Sequence, residues 1–486
     1  MAPLGRMAIS SRPAREMSAL KTDESIFAIR AAFISHRPGG RHVEDGLQGY
    51  RGPARRILEG AGMRVGDEVE LTLSDGGSIA GVLMPRYEHA DCEHITVKLR
   101  NGYNAGVAVS RIVGIRMIGR PSPEPEEVSQ PSRPPSIPRG DVIIIGTGGT
   151  IASRIDYRTG AVTPVFRPED LYSRVPGLGD IAKVQTDVLF NILSENMTPD
   201  HWTAIAERIG RAVSDGYRGI IVTHGTDTMH YTAAALSFSL EGLPVPVILV
   251  GAQRSSDRPS SDASSNLRAA VLAASRGEFS GVYIAMHRNL SDHEIAIHPG
   301  VKVRKNHTSR RDAFQPVNSR LAAVVDLRSM GIEMLADLPP RGDPGSLRVR
   351  AGFDRRAFLL KYFPGMDGGV IDNLVDRGYR AIILEGTGLG HVGKYVHESI
   401  RGAIERGVFV GMTSQCIWGS VRMTVYDTGR DLLKMGVVPL EDMLPEVALV
   451  KAMWLLGQGV GPDEMRTLMP SNLRGEISRR RLVEYE

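Results

Sequence analysis

Two hydroxyl-rich turns in this chain carry side chains that could perform nucleophilic chemistry. The first follows the apolar run at 142–145 and holds Thr147 and Thr150 among glycines, and the second, at 224–229, reads His-Gly-Thr-Asp-Thr-Met. A threonine hydroxyl becomes a useful nucleophile when a neighbouring base takes up its proton. Glycines in such a turn let the backbone approach a ligand closely and present N–H groups to it. The two turns therefore indicate a site for attack on a small polar molecule.

The glycine turn also has two simpler interpretations, a dinucleotide-binding loop and an ordinary tight turn. Gly146 and Gly148 begin the G-x-G-x-x-G spacing, but the third glycine position falls on Ile151. No Gly-Lys-Ser/Thr triplet follows, as a phosphate-binding loop would require. On this stretch alone, a catalytic threonine and a plain glycine turn both stay open.

A lysine could supply the base that such a hydroxyl needs. Lys305 lies in the cationic segment 303–309, shortly after a predicted strand. Because burial and neighbouring cations lower the pKa of a lysine, it could act as a base beside Thr226 and Asp227. Each residue also has a simpler interpretation: Thr226 could cap the next helix, Asp227 could lie in its first turn, and Lys305 could be surface charge.

Strands and helices alternate from residue 141 onward, and they determine where the candidate residues lie. The predicted strands are 142–145, 219–223, 245–250, 281–286, 380–384 and 408–412, and the predicted helices are 199–215, 228–240, 263–275, 369–376, 396–405 and 446–456. Continuous Val/Ile runs are typical of buried parallel strands, and ligands bind beyond the carboxyl ends of such strands. The alternation predicts an α/β fold of doubly wound parallel sheets with right-handed crossovers.

The region before these sheets divides into three parts. Residues 1–62 are rich in Arg, Ala, Ser, Gly and Pro, so we predict a mostly disordered extension. Alternating apolar residues and Asp-Gly or Asn-Gly turns in 63–118 predict a small antiparallel SH3-like β-barrel. The proline density of 119–140 predicts a semi-rigid linker.

Two α/β domains are expected after this linker. The first, 141–337, carries the candidate residues, and the second covers 349–465, with the proline-rich segment 338–348 between them. Residues 466–486 are predicted to form a charged C-terminal tail, which includes three arginines at 479–481. Such arginine runs are usually solvated surface, and contact with RNA is the alternative.

The composition limits the classes of protein that the chain could belong to. At 486 residues it is too long for a single core, and its 42% hydrophobic and 23% charged residues are typical of soluble globular proteins. No apolar run is long enough to span a bilayer. A net charge of +4 does not argue for nucleic-acid binding. Cys92 and Cys416 offer neither a disulfide framework nor a metal cluster, and Cys416 is expected to be buried.

Taken together, the motifs resemble those of the L-asparaginase/glutaminase family of amidohydrolases. The resemblance rests on Thr-Gly-Gly-Thr-Ile-Ala at 147–152, His-Gly-Thr-Asp-Thr-Met at 224–229 and the loop that ends in Lys305. It implies an asparaginase-like pair of α/β domains. It also implies that Thr150 is the nucleophile that attacks the side-chain amide, and that Tyr157 in a mobile loop assists it.

The same resemblance implies roles for the remaining site residues. Thr226, Asp227 and Lys305 form a second hydroxyl–carboxylate–ammonium cluster, which relays protons and positions the substrate. The implied substrate-binding residues are Gly149, Ser194, Glu195 and Gly225. Charge supports this, since the α-ammonium of an amino acid needs carboxylates such as Glu195 and Asp227. Backbone N–H groups of the two turns would stabilise the oxyanion.

The barrel and linker before the paired domains are similar to the layout of the D-subunit family of archaeal glutamyl-tRNA(Gln) amidotransferases. This resemblance implies a subunit that hydrolyses L-glutamine and passes ammonia to an E-type partner, which amidates glutamyl-tRNA(Gln). It implies no metal or cofactor on this chain, because ATP and Mg²⁺ are used by the complex through the partner. It further implies a cytoplasmic protein without membrane contact, present as a homodimer within a heterotetramer.

Two other functions remain open from the sequence. A free-standing L-asparaginase/glutaminase with an accessory barrel would carry the same site and need no partner. An inactive asparaginase-fold scaffold would keep the fold alone. Thr150, Thr226, Asp227 and Lys305 together count against the scaffold, since a scaffold has no need of a lysine near a carboxylate at a pocket.

Overall fold

The N-terminal domain is built on a five-stranded antiparallel sheet. The computed structural model describes residues 46, 47, 49–86, 91–99, 104–119, 141–149, 153–155, 162–164, 175, 177–254 and 261–478. The strands are β1 (Glu68–Leu73), β2 (Ser78–Leu83), β3 (His94–Lys98), β4 (Asn104–Ala108) and β5 (Ile112–Gly119), in the order β4-β3-β2-β1-β5. Val69 and Leu71 are fully buried while Thr72 is exposed, as alternation in a half-buried strand requires. The small antiparallel domain predicted from the sequence is confirmed.

A helix precedes this sheet and packs against it. Helix α1 (Gly52–Gly60) buries Leu58 completely, and Tyr50, just before the helix, is 2% exposed. The Tyr50 hydroxyl donates to the Met84 carbonyl at 2.8 Å and accepts from the Thr96 amide at 3.0 Å. The prediction of disorder is therefore wrong for residues 49–62. This stretch is polar on average, but a few of its large side chains pack into the hydrophobic core of the N-terminal domain. Residues 1–45 lie outside the described residues, and for them disorder stays a prediction.

Leu58→Ala should destabilise the N-terminal domain by about 2–5 kcal/mol, because a fully buried leucine is lost and a cavity is left. Chemical denaturation followed by circular dichroism measures the change. Arg56→Ala, at an exposed position of the same helix, is the matched control and should leave the midpoint unchanged. Equal midpoints for the two variants would mean that α1 does not contribute to the core.

The second domain contains an eight-stranded mixed sheet. Its strands are β6 (Val142–Gly148), β9 (Val184–Ile192), β10 (Gly219–Thr223), β12 (Pro246–Val250), β13 (Gly281–His287), β14 (Glu294–Pro299), β17 (Ala323–Asp326) and β18 (Gly331–Met334), in the order β18-β17-β14-β13-β12-β10-β6-β9. Neighbours from β9 to β13 pair in parallel, which confirms the predicted parallel sheet. From β13 to β18 the pairing is antiparallel, a part of the sheet that the sequence analysis did not predict.

Helices cover both faces of this sheet. Helices α2 (Pro199–Ser214) and α3 (Met229–Ser239) pack on one face, and α4 (Ala263–Arg276) packs on the other. Every residue of β6, β10 and β12 is buried, as expected for strands covered on both sides. Short ribbons flank the sheet: β7 (Ser153–Ile155) with β8 (Val162–Pro164), β11 (Leu240–Glu241) with β19 (Arg348–Val349), and β15 (Val303–Lys305) with β16 (Phe314–Pro316).

The C-terminal domain repeats this plan on a smaller, parallel sheet. Its strands are β20 (Ala357–Lys361), β21 (Ala381–Gly386), β22 (Phe409–Ser414) and β23 (Val438–Pro439), and its helices are α5 (Gly369–Asp376), α6 (His397–Glu405), α7 (Asp427–Met435), α8 (Pro445–Gly457) and α9 (Pro462–Leu468). Helix α8 packs against α3, where Phe238 stacks on Trp454 with 5.7 Å between ring centroids. Helix α3 is therefore covered by the large sheet on one side and by α8 on the other. Within the described ranges, no helix is long and apolar enough to cross a membrane.

The last described segment of the chain, 471–478, is held by buried contacts although it is rich in charged residues. The Lys451 ammonium is fully buried, and its Nζ lies 2.6 Å from the equally buried Glu476 carboxylate. Glu476 also accepts from the Leu473 and Arg474 amides. The prediction of a charged tail is therefore wrong up to residue 478, and the arginines at 479–481 lie outside the described residues. Cys416 was expected to be buried, but it is exposed. It lies just after β22, beyond the carboxyl end of that strand.

Candidate active site

The two hydroxyl-rich turns meet at one edge of the large sheet. Strands β6 and β10 are parallel neighbours, and Gly146 pairs with Thr223, so both strands end at the same level. The Thr147 hydroxyl donates to the Thr223 carbonyl at 2.7 Å and is 1% exposed. Thr147 is therefore a structural tie between the turns, and it is not available to a substrate.

Glycines bring the backbones of these turns within contact of each other. Gly149 has φ +84°, and a Cβ placed there would lie 2.6 Å from the Gly225 nitrogen. A Cβ at Gly225 would lie 2.7 Å from the Ser194 Cβ. No side chain fits at either position, which is why glycine is required at both. The backbones of the two turns are therefore in direct contact with each other.

A lysine joins the hydroxyl and the carboxylate of the second turn. Lys305 Nζ lies 2.8 Å from Thr226 Oγ1 and 2.7 Å from Asp227 Oδ1. The side chain of Lys305 is 9% exposed, whereas that of Asp227 is 69% exposed. Lys305 ends β15, whose pairing with β16 fixes the direction of its side chain. The Lys305 ammonium is therefore almost fully enclosed, whereas the Asp227 carboxylate is accessible to a ligand.

The segment after β9 also lies at this edge of the sheet, and together with the two turns it forms what we call the rim of the site. Ser194 and Glu195 lie in a short 3₁₀ helix, where Ser194 is 5% exposed and Glu195 is exposed. The Thr228 hydroxyl donates to the Ser194 carbonyl at 2.7 Å and ties this helix to the second turn. Two exposed carboxylates, Glu195 and Asp227, therefore lie on segments that meet at this edge, an arrangement suited to a ligand ammonium group.

Comparison with known proteins identifies the family. Family models match the GatD N-terminal domain at 63–118, the asparaginase N-terminal domain at 141–337 and the glutaminase/asparaginase C-terminal domain at 356–469. Over 90% of its length the chain is 49% identical to the glutamyl-tRNA(Gln) amidotransferase D-subunit of Methanopyrus kandleri, of which it covers 96%. It is 47% identical to the D-subunit of Sulfurisphaera tokodaii, with 97% of that protein covered. This chain belongs to the family of glutamyl-tRNA(Gln) amidotransferase D-subunits.

Solved structures confirm the asparaginase-like part of the fold. The thermostable L-asparaginase of Thermococcus kodakarensis superposes with a TM-score of 0.62 and 32% sequence identity. The match covers 99% of that protein but 70% of this chain. This member of the D-subunit family therefore adds the N-terminal β domain to a complete asparaginase-like pair of domains.

In this D-subunit family member, the structure brings together six of the residues singled out from the sequence. They are Gly149, Ser194, Gly225, Thr226, Asp227 and Lys305. Glu195 lies on the same rim. Thr150 and Tyr157 lie outside the described residues, so their places in the site stay predictions.

A buried histidine, whose role the sequence motifs did not indicate, supports the site. His224 is fully buried, with Nδ1 2.7 Å from the Gly225 carbonyl and Nε2 2.9 Å from the Thr232 hydroxyl. Burial lowers the pKa of His224 to about 4, so the ring is neutral at neutral pH. Its contacts fix the backbone of the second turn, and Thr228 does the same on the other side. Only the position of His224, directly after the buried strand β10, could have indicated its role.

Gly225→Ala should raise KM for the amide substrate about 10–100-fold, because the added methyl displaces Ser194 from the rim. Steady-state kinetics measures the change. Gly402→Ala is the matched control, since a Cβ there has nothing within 4 Å. If Gly225→Ala and the control showed the same KM, Ser194 would have no part in substrate binding.

Proposed function

We propose that this chain is a glutaminase subunit, which hydrolyses L-glutamine with Thr150 as nucleophile and supplies ammonia for amidation of glutamyl-tRNA(Gln). The observation that carries the proposal is the Thr226–Lys305–Asp227 cluster at the edge where the two turns meet. The family assignment supports it, because the relatives are named as amidotransferase subunits. The packing of this edge of the sheet does not require a buried lysine that donates a hydrogen bond to a threonine hydroxyl, so the Lys305–Thr226 contact supports a catalytic role.

Substrate recognition follows from the charges on the rim. A free amino acid carries an α-ammonium, which Glu195 and Asp227 attract as carboxylates. Its α-carboxylate needs donors, and the Ser194 hydroxyl with the peptide N–H groups beside it can provide them. The site therefore favours a whole amino acid over a simple amide, because both charged ends find partners.

The reaction proceeds through an acyl-enzyme ester. The Thr150 oxygen attacks the side-chain carbonyl carbon, and the carbonyl electrons move onto its oxygen, which backbone N–H groups of the turns stabilise. The C–N bond then breaks, and the nitrogen takes a proton and leaves as ammonia. Water attacks the ester in the same way, which releases glutamate and restores the hydroxyl. A deprotonated Lys305, with Nζ 2.8 Å from Thr226 Oγ1, takes up through Thr226 the proton that the Thr150 hydroxyl loses, and it returns that proton to the departing nitrogen.

The remaining steps belong to a partner in this proposal. An E-type subunit would bind glutamyl-tRNA(Gln) and use ATP and Mg²⁺ to activate its carboxylate for ammonia. This chain would bind neither nucleotide nor metal, and it would form a homodimer within a heterotetramer in the cytoplasm.

Glutaminase activity of the isolated chain should be low and should rise at least tenfold when the E-type subunit and glutamyl-tRNA(Gln) are added, about 1.4 kcal/mol of coupling. Uncoupled hydrolysis would waste glutamine, which is the reason to expect control by the partner. Glutamate release measures the rate, and the complex with uncharged tRNA is the control. Full turnover of glutamine or asparagine by the isolated chain, unaffected by partner and tRNA, would instead establish a free-standing asparaginase/glutaminase.

A further inference from the structure

A third turn lies beside the second hydroxyl-rich turn of the candidate site. It covers residues 251–254 and follows β12, whose last residue pairs in parallel with the last residue of β10. A Cβ placed at Gly251 would lie 2.8 Å from Thr226 Cγ2 and 2.8 Å from the His224 carbonyl oxygen. The backbone of the third turn therefore packs closely against the Thr226 methyl group.

The two branches of the Thr226 side chain have different neighbours. Its methyl group meets the third turn at Gly251, while its hydroxyl oxygen lies 2.8 Å from Lys305 Nζ. Both branches are bonded to the same Cβ, so a single rotation about the Cα–Cβ bond moves them together. A backbone that confines the methyl group therefore also confines the hydroxyl, and it keeps that hydroxyl within hydrogen-bond distance of Lys305.

Three fully buried polar side chains, those of Asn266, Asp262 and His287, hold the third turn in place. Asn266, near the start of α4, donates from Nδ2 to the Gly251 carbonyl at 3.0 Å. Asp262 accepts from two amides of the third turn, at 2.9 and 3.0 Å. His287, the last residue of β13, donates from Nδ1 to Asn266 Oδ1 at 2.7 Å. Side chains from a helix and a neighbouring strand thus fix the carbonyl and the amides of this turn.

The carboxylate of Asp262 bonds to the third turn and not to its own helix. Asp262 immediately precedes α4, where an aspartate commonly accepts hydrogen bonds from the first amides of the helix. Within the described part of the chain its side chain makes no such bond, and Oδ2 instead accepts from Asn266 Nδ2 at 3.1 Å as well as from the turn. A buried carboxylate is costly unless it is hydrogen-bonded in this way. These hydrogen bonds therefore fix the third turn; they do not cap the helix.

We propose that Asn266 is a positioning residue for Thr226, which it orients through the third turn with the support of Asp262 and His287. The inference rests on the proposed function, in which Thr226 passes a proton to Lys305. Without the Asn266 side chain, the carbonyl of the third turn loses its donor, and the turn can move away from the Thr226 methyl group. The hydroxyl then rotates away from Lys305. The network therefore contributes to the rate of the reaction and not to binding of the substrate.

A double-mutant cycle of Asn266→Ala and Thr226→Ser tests this role, with glutamine hydrolysis measured in the complete enzyme. Asn266→Ala releases the third turn, and Thr226→Ser keeps the hydroxyl but removes the methyl group that orients it, so each should lower kcat about tenfold. KM should stay unchanged, because Ser194 and Glu195 are untouched. The double variant should be no slower than Thr226→Ser, since without the methyl group Asn266 has nothing to act on. Asn373→Ala, at an exposed position of α5, is the control and should keep the wild-type kcat.

Losses that multiply to about a hundredfold in the double variant would overturn the proposal, because they would show that the two residues act independently. Wild-type kcat in either single variant would overturn it too. A melting temperature of Asn266→Ala far below that of the control would assign Asn266 to stability.

Gly251→Ala then decides whether the third turn orients Thr226, because it leaves the buried network in place. Its added methyl would lie 2.8 Å from Thr226 Cγ2 and must displace that side chain, so we expect a fall in kcat. Unchanged kcat in Gly251→Ala would overturn the role of the turn. A wild-type enzyme that does not hydrolyse glutamine would remove the proposed function, whereas an active wild type with equally active variants would remove the positioning role alone.

Discussion

Lys305→Met is expected to lower the rate of glutamine hydrolysis by about 10²–10⁴-fold, the range for losing a proton-transferring side chain. The substitution keeps the length of the side chain and removes both the 2.8 Å contact to Thr226 Oγ1 and the 2.7 Å contact to Asp227. Without the nitrogen, Thr226 loses the group with which it exchanges a proton in the proposed mechanism. The fall should appear in kcat more than in KM, because the substrate's charged ends meet other residues. Glutamate release in the complete enzyme is the measurement.

The fold should survive this change. Lys434→Met, at an exposed position of α7, is the control and should keep wild-type activity and melting temperature. A Lys305→Met protein that melts far below the control would show that the lysine is needed for stability. Unchanged turnover would remove Lys305 from the mechanism.

Thr150→Ala is expected to reduce hydrolysis by about four orders of magnitude or more, as for loss of a catalytic nucleophile. The physical reason is that no covalent ester can form, so both halves of the reaction are lost. Rapid acid quenching followed by mass spectrometry should find a glutamyl adduct on the wild-type peptide that contains residue 150. The variant should show none.

Thr424→Ala, an exposed threonine far along the chain, provides the control for this experiment. Near wild-type glutaminase activity of Thr150→Ala in the complete enzyme would disprove the assignment of the nucleophile. An adduct on the peptide that contains Thr226 would transfer the role to that hydroxyl, which already has a nitrogen within 2.8 Å.

The sheet edge could be predicted from the sequence because two simple rules apply to it. Continuous β-branched runs form buried parallel strands, and polar turns after such strands meet at one edge. These rules alone place the turn of Gly149 beside that of Thr226. The role of Thr147 was not predictable, since whether a hydroxyl points to a ligand or to a neighbouring carbonyl depends on the local backbone.

Other parts of the structure depend on contacts between distant residues, and no local pattern shows them. The segment around Tyr50 and Leu58 is polar on average, yet these two side chains are buried in the core of the N-terminal domain. Lys451 and Glu476 look like ordinary surface charges until α8 and the C-terminal segment enclose them. Composition describes a segment by its average, whereas burial depends on a few side chains with a partner surface.

The short strand β15 has a mechanical consequence. Its last two residues, Arg304 and Lys305, project to opposite sides, as successive residues in a strand must. Lys305 reaches Thr226, while Arg304 reaches Glu446 in the next domain. The strand therefore links the Lys305–Thr226 hydrogen bond to the Arg304–Glu446 ion pair, so a movement of the strand displaces both contacts. A structural change at the domain boundary near Glu446 would thus shift the position of Lys305 relative to the Thr226 hydroxyl, with no change in the other residues around Thr226.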